Sequence, residues 1–346
     1  MTRATNHRAA DQTPAAAGMP TMRAIVQQEF GPAPETVLRM ADIARPTIDD
    51  DEILVRVRGA SVDRGTWHIM AGLPYPIRLA GFGVRRPTRR NPGRSLAGTV
   101  DSVGRDVTGF APGDDVYGTA DDAFAEYAVV KPGRLAAKPG NLTFEQAASV
   151  PISGPTALQA VRDQGQVRAG HKVLVIGASG GVGTFALQIA KAFGTEVTAV
   201  ASTAKVDLVR ALGADHVIDY TKDSIAGGDH RYDVILDIGG NRRLSELRRA
   251  LGPKGRLVIV GGETDGKLIG GFDRGFRAQA LSMFVGQKMG GFMASENAKD
   301  LDTLRDLLKA GTIAPAIDRT YPLSDVPAAI RRMIDGDARG KLVISI

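Results

Sequence analysis

The chain of 346 residues contains no cysteine, one tryptophan and five histidines. The missing thiols exclude disulfides, thiolate nucleophiles and cysteine-ligated zinc together. His7, His68, His171, His216 and His230 stand in no HxxxH or HxH spacing, so no imidazole pair offers a metal a substitute site. No apolar run approaches the ~18 residues that a membrane span needs, and the N-terminus has no apolar signal core. The expectation is a cytoplasmic protein. Residues Met1 to Thr21 are rich in alanine but lack the serines and the amphipathic length of a transit peptide, and read as a disordered extension before a first strand pattern at Met22 to Gln27.

What is present is globular. The hydrophobic fraction of 43% and charged fraction of 24% suit a packed core, and the length exceeds what one core usually serves, so two domains are expected. The net charge of +6 and the acid-free series Arg78, Arg85, Arg86, Arg89, Arg90 and Arg94 raise a nucleic-acid reading. No aromatic residues interleave as stacking platforms, and Pro87 and Pro92 break any groove-reading helix. A solvated basic loop is preferred, with no nucleic-acid partner.

From Met22 to about Val130 short β-rich runs are bounded by Gly, Pro and Asp: Ile53 to Arg58, Leu96 to Val100, Asp115 to Tyr117 and Phe124 to Val130. Thr143-Phe-Glu-Gln146 then has the spacing of a capping box and opens helical segments. From Lys172 onward strands at 172–176, 196–201, 216–218, 232–237 and 256–260 alternate with helices at about 181–193, 206–212 and 241–251. That alternation is the pattern of a doubly wound parallel sheet. The tail adds a strand at 317–322, a helix at about 326–335 and a last strand at 341–346, which can complete the first domain's sheet.

The run Val173-Leu-Val-Ile-Gly177-Ala-Ser179-Gly180-Gly181-Val182-Gly183 joins an apolar strand to an amphipathic helix. Glycine permits the tight turn and a close backbone approach, while the new helix presents free N–H groups to a pyrophosphate. Strand, turn and helix stand in the order that a dinucleotide fingerprint requires. At the end of the next strand an acid would bond the ribose of NAD; Ser202, Thr203 and Lys205 stand there instead and favour NADPH over NADH. An ordinary Ser/Thr helix cap with an exposed lysine is the alternative.

With Ala97-Gly98, Gly113 to Gly118, Phe124-Ala-Glu126-Tyr127, Gly154-Pro-Thr156, Leu212 to Tyr220 and Ala338 to Val343, the chain resembles the medium-chain dehydrogenase/reductase superfamily. The similarity covers about Met22 to Ile346 and is to the zinc-independent, quinone oxidoreductase-like branch. It implies a Rossmann domain at 149–294 inserted into a GroES-like, partly open β-barrel catalytic domain built from 22–148 and 295–346. It also implies that Ser179 and the Gly180, Gly181, Val182 and Gly183 turn hold the pyrophosphate, and that Lys205, Tyr220 and Arg339 surround the 2′-phosphate. Thr156, Ile238, Gly239, Val260, Gly261 and Gly262 are then neighbours of the nicotinamide. Where zinc-dependent relatives carry their metal ligands, this chain has Ser61 or Val62 and Arg94-Ser95, so no metal is expected.

Without a metal, hydride can still reach a carbon activated by conjugation if the developing oxyanion finds donors. The candidates are Ser61, Thr66, the Trp67 indole N–H and Tyr75, with the proton delivered by Tyr75 or by water; Asp63 is singled out in the same loop, where the branch commonly shows Asn-Pro-x-Asp. His68 is an alternative acid, although a lone His beside a Trp is more often packed or solvated. The Met- and Phe-rich stretch Phe272 to Met293 suits an apolar substrate mouth, the core or a subunit interface. The expected function is NADPH-dependent reduction of quinones or activated enones by a homodimer. The alternatives are a zinc-free alcohol dehydrogenase and a nucleotide-binding sensor or structural protein with little turnover.

Overall fold

The computed structural model describes residues 20–225, 230–261 and 270–346. The disordered extension expected at 1–21 falls outside the described residues up to residue 19, and Gly262 and the side chain of Phe272 also lie outside them.

The first half is β-rich. Strands β1 (Thr21–Gln27) and β2 (Leu38–Ala44) form a hairpin interrupted by the short helix α1 (Pro34–Val37). Strand β3 (Ile53–Val62) follows and leads into α2 (Arg64–Ala71); then come β4 (Ser95–Val103), β5 (Asp115–Thr119), β6 (Tyr127–Val130) and β7 (Leu135–Ala137). Helices α3 (Phe144–Ala148) and α4 (Ser153–Gln159) close this half, and Thr143 caps α3 through the capping box that its spacing with Gln146 predicts.

The second half alternates β8 (Lys172–Ile176), α5 (Gly181–Ala192), β9 (Glu196–Ala201), α6 (Val206–Ala211), β10 (His216–Asp219), β11 (Tyr232–Asp237), α7 (Leu244–Ala250), β12 (Leu251–Ile259), α8 (Phe272–Ser282) and β13 (Lys288–Gly291). Helix α9 (Ala298–Lys309), β14 (Ile317–Pro322), α10 (Val326–Ile334) and β15 (Lys341–Ser345) complete the chain.

Two large sheets result. In the parallel sheet the order is β10-β9-β8-β11-β12-β13, the doubly wound Rossmann order, with its topological switch between β8 and β11. Strand β8 is buried throughout Val173 to Ile176 because helices cover both its faces, which is why its sequence is an unbroken apolar run. The second sheet has the order β14-β15-β3-β4-β5-β7, with β6 also pairing β3, and does not close on itself. Its continuity depends on the chain's two ends, since β15 pairs antiparallel with β3 through Leu342 opposite Val62 and Ser345 opposite Gly59.

Two details differ from the sequence reading. Strand β12 starts at Leu251 rather than at 256, because its pairing with β11 slips between Tyr232 and Val234 and admits Gly252 to Gly255. A sixth strand, Lys-Met-Gly-Gly, extends the parallel sheet although its two glycines carry no strand signal. Of the Met- and Phe-rich stretch, Met289 is buried in that strand, whereas Phe276, Met283, Phe284 and Met293 are exposed around this sheet edge.

Helix α5 is held by its apolar face, and Phe185 is fully buried in the largest core cluster. Phe185→Ala is expected to cost about 3–5 kcal/mol in urea unfolding. A loss below about 1 kcal/mol would mean that the site relaxes freely and that core packing does not fix the helix.

Candidate functional site

The C-terminal ends of β8 and β11 form the crevice where open α/β sheets bind ligands. Beyond Ile176 the backbone turns at Gly177, whose φ of 80° suits glycine alone among ordinary choices. The Gly180 N–H donates to the Gly177 carbonyl at 3.1 Å, and α5 begins at once, with no side chain capping its N-terminus. Those first-turn N–H groups are left for an anion. A side chain at Gly183 would put its Cβ 2.1 Å from the Gly177 oxygen, so the helix can only start this close to the strand with glycine there. Ser179 is nearly buried beside this turn, and Val182 packs partly into the core.

Other expected nicotinamide neighbours gather at the same edge. The N–H groups of Ile238 and Gly239 both donate to the Ile176 carbonyl, at 3.0 and 3.1 Å, and those of Val260 and Gly261 donate to the Asp237 carbonyl, at 3.0 and 3.3 Å. Asp237 is fully buried and paired with Arg274 of α8 at 2.7 Å, while Arg274 also bonds the carbonyls of Gly240 and Arg242. This clamp, absent from the sequence reading, fixes the loop that follows Ile238. Thr156 lies on α4, its hydroxyl donating to the Ile152 carbonyl at 2.7 Å.

At the end of β9 the geometry is more crowded than the sequence alone implies. The Lys205 ammonium donates to the carbonyls of Gly336 and Ala338 at 2.7 and 2.8 Å, which draws it to the segment carrying exposed Arg339. Partial burial lowers the Lys205 pKa, opposed by the charge of Asp337 and aided by that of Arg339. Thr203 does not stand free beside Ser202: its hydroxyl donates to Asp219 at 2.5 Å and meets that of Thr221 at 2.9 Å. The Thr203 and Thr221 hydroxyls hold the Asp219 carboxyl down to about 2. Tyr220 is exposed beside this group.

The early loop supplies α2 and its cap. Asp63 is the N-cap residue, and the Asp63 N–H bonds the Thr66 hydroxyl at 3.3 Å, one arm of a capping box. The Asp63 carboxylate also receives the Lys341 ammonium, the Ser153 hydroxyl at 2.9 Å and the Ser61 hydroxyl at 3.4 Å. Trp67 donates its indole N–H to the Pro32 carbonyl at 3.2 Å. His68 Nδ1 lies 2.8 Å from the Leu73 carbonyl, and burial lowers the pKa of its ring. Tyr75 is the exposed member of the set, with the Arg78 guanidinium 5.0 Å from its ring centre. Its neighbour Pro74 abuts Gly270, just before α8.

The donor set does not fit a zinc ion. Arg94 holds both oxygens of Glu296 at 2.7 Å, and Ser95 donates to the Ala148 carbonyl at 2.7 Å. Among the described residues no group of three or more His, Cys, Asp or Glu could hold a metal. Arg78 bonds the Gly72 carbonyl and Arg89 bonds Asp121, so three members of the basic series are engaged within the fold. Asp121 also lies 3.7 Å from Arg94 and 3.6 Å from Arg134.

Next to this cluster Asp122 has a φ of 63° and a buried, unpartnered Oδ1. Burial, reinforced by the charge of Asp121, pushes its carboxyl up to about 7. A native carboxyl that keeps its proton while the unfolded one has lost it makes stability fall as the pH rises from 3.8 to about 7. Asp122→Asn is expected to flatten that fall and to stabilise the protein above the window by roughly 1–3 kcal/mol, read from unfolding at several pH values. An unchanged pH profile would contradict the assignment.

The family comparisons agree with this architecture. The profile of the alcohol dehydrogenase GroES-like domain matches residues 49–140, and that described as zinc-binding dehydrogenase matches residues 212–344. The mouse mitochondrial NAD(P)H oxidoreductase RTN4IP1 is 35% identical over 86% of this chain and 82% of its own length. The tomato 2-methylene-furan-3-one reductase is 30% identical over 99% of this chain and 84% of its own. Among solved structures, the quinone oxidoreductase of Coxiella burnetii superposes with a TM-score of 0.82 at 28% identity, covering 94% of this chain and 100% of that one. With the strand order, the glycine turn and the joined chain ends, these matches place the chain in the quinone oxidoreductase-like branch of the medium-chain dehydrogenase/reductase superfamily, and it is an oxidoreductase.

Proposed function

We propose that this oxidoreductase uses NADPH to reduce quinones or α,β-unsaturated carbonyl compounds, without zinc. The observation that carries the reading is the uncapped start of α5 behind Gly177 and Gly183, facing Gly239 and Gly261 across the switch point. Relatives named for reduction of a furanone, of alkenals and alkenones, and of quinones support the substrate class. The pairing of Lys205 with the Arg339 segment supports NADPH, since two cations at the end of β9 suit a 2′-phosphate.

A reduced nicotinamide bound at this crevice supplies hydride to a carbon made electrophilic by conjugation. The protein's task is then to orient the acceptor and to meet the charge on its oxygen. Asp63 and Thr66 act by capping α2, and Trp67 anchors that helix to Pro32. Tyr75 is the donor we assign, because it is exposed while those neighbours are already engaged. Thr156 and the Ile238-Gly239 and Val260-Gly261 segments wall the nicotinamide. The domain division at 148/149 and 294/295 keeps each large sheet within one unit.

The exposed Phe276, Met283, Phe284 and Met293 beside edge strand β13 support a homodimer joined at the Rossmann sheet edge.

Reduced-nicotinamide oxidation against a panel of quinones, enones, aldehydes and ketones, with and without a chelator, tests the reading. Turnover with NADPH confined to conjugated acceptors and indifferent to chelation is expected; equal turnover of simple aldehydes and ketones, or nucleotide binding without turnover, would overturn it. Lys205→Glu should weaken NADPH binding by about tenfold or more while changing NADH binding far less, and equal losses would remove Lys205 from the phosphate site. Tyr75→Phe should lower kcat by about 10²-fold with little change in nucleotide affinity, and an unchanged kcat would leave water as the proton source.

A further inference from the structure

The ammonium of Lys341 is buried where three parts of the chain meet. Lys341 is 1% exposed and Asp63 7%. Their charges pair directly, the Lys341 ammonium also donates to the Val62 carbonyl at 3.2 Å, and Ser153 lies within 3.2 Å of it while donating to Asp63 at 2.9 Å. The same stretch touches the glycine turn. Gly340 forms a bridge with Gly180, and a Cβ on Gly181 would meet Lys341 Cδ at 3.0 Å, the Ser153 hydroxyl at 3.3 Å and the Lys341 ammonium at 3.9 Å.

One cation therefore stands between a fixed carboxylate, which caps the substrate helix α2, and the helix start that would receive a diphosphate. An anion at that helix start competes with Asp63 for Lys341 in a site shielded from water, where such competition is strong. Any displacement of Asp63 is passed to Thr66 and Trp67 through the cap of α2.

We propose that Lys341 is a positioning residue that couples occupancy of the glycine turn to the placement of α2, so that the bound nucleotide organises the acceptor site. The proposal rests on the cofactor reading above. It leaves chemistry to the groups at the crevice and gives the Asp63, Lys341 and Ser153 cluster the work of transmission.

Trp67 is the chain's single tryptophan and sits on α2, so its fluorescence reports on that helix without any acceptor. NADP⁺ is the probe, because its oxidised ring does not absorb the emission. In the native protein, a calorimetric titration with NADP⁺ is expected to show binding, with a saturable change in Trp67 emission at the same midpoint. The charge-neutral double variant Asp63→Asn/Lys341→Met should still bind NADP⁺ within about tenfold of the native affinity but lose most of the Trp67 response. Its KM for a conjugated acceptor should rise by about fivefold or more, a split that simple loss of folded protein would not produce.

Should that variant fold poorly, Ser153→Ala removes one hydroxyl from the cluster and should still cut the Trp67 response by at least half. A full Trp67 response in a variant that binds NADP⁺ would overturn the coupling. Binding in the native protein with no change in Trp67 emission would overturn it too, while leaving the cofactor reading intact. Absence of NADP⁺ binding in the native protein would overturn both.

Discussion

Burying an ammonium and a carboxylate strips both of water, and the pair survives only if nearly every remaining donor and acceptor is met inside the protein. Lys341 and Asp63 satisfy that condition together with Ser153, Ser61 and the Val62 carbonyl. The pair joins residues 278 positions apart and lies where β15 completes the sheet begun by β3. Three features depend on it at once: the return of the chain's end to the catalytic domain, the cap of α2, and the seat of the glycine turn on Gly340 and Lys341. Removing either charge alone would leave its partner buried and uncompensated, so the two domains and the crevice between them share one fault line.

Much of the fold was legible because it is locally encoded. Val173 to Ile176 is apolar at every position and could only be a strand covered on both faces, and Gly177 to Gly183 punctuates it with a turn that admits no larger side chain at its closest approach. The strand limits at 172–176, 196–201 and 232–237 coincide with those observed, as does the capping box at Thr143. Lys288 to Gly291 was not legible. Two glycines give no β signal, and the strand exists because an unpaired edge of β12 receives it.

Features of the site that depend on distant pairing were equally hidden. Nothing near Lys341 in sequence points to Asp63, and nothing near Thr203 points to Asp219 until β10 is seen beside β9. Asp63, Thr66 and Trp67 could be singled out as polar groups of one loop, but a cap, an ion pair with the distant Lys341 and the Pro32 carbonyl already engage them in the fold. Arg94 reads as a cation in place of a metal ligand. Its grip on Glu296, and the arginine cluster around Asp121, show in addition that the start of β4 is held by paired charges.

The chemistry proposed for the crevice behind the glycine turn is conjugate reduction. NADPH deuterated at the transferable position of the nicotinamide, reacted with a substituted enone and followed by NMR of the product, tests it most directly. Deuterium is expected on the β-carbon and a solvent proton on the α-carbon, with the carbonyl retained. Deuterium on the carbonyl carbon of an alcohol product would contradict it.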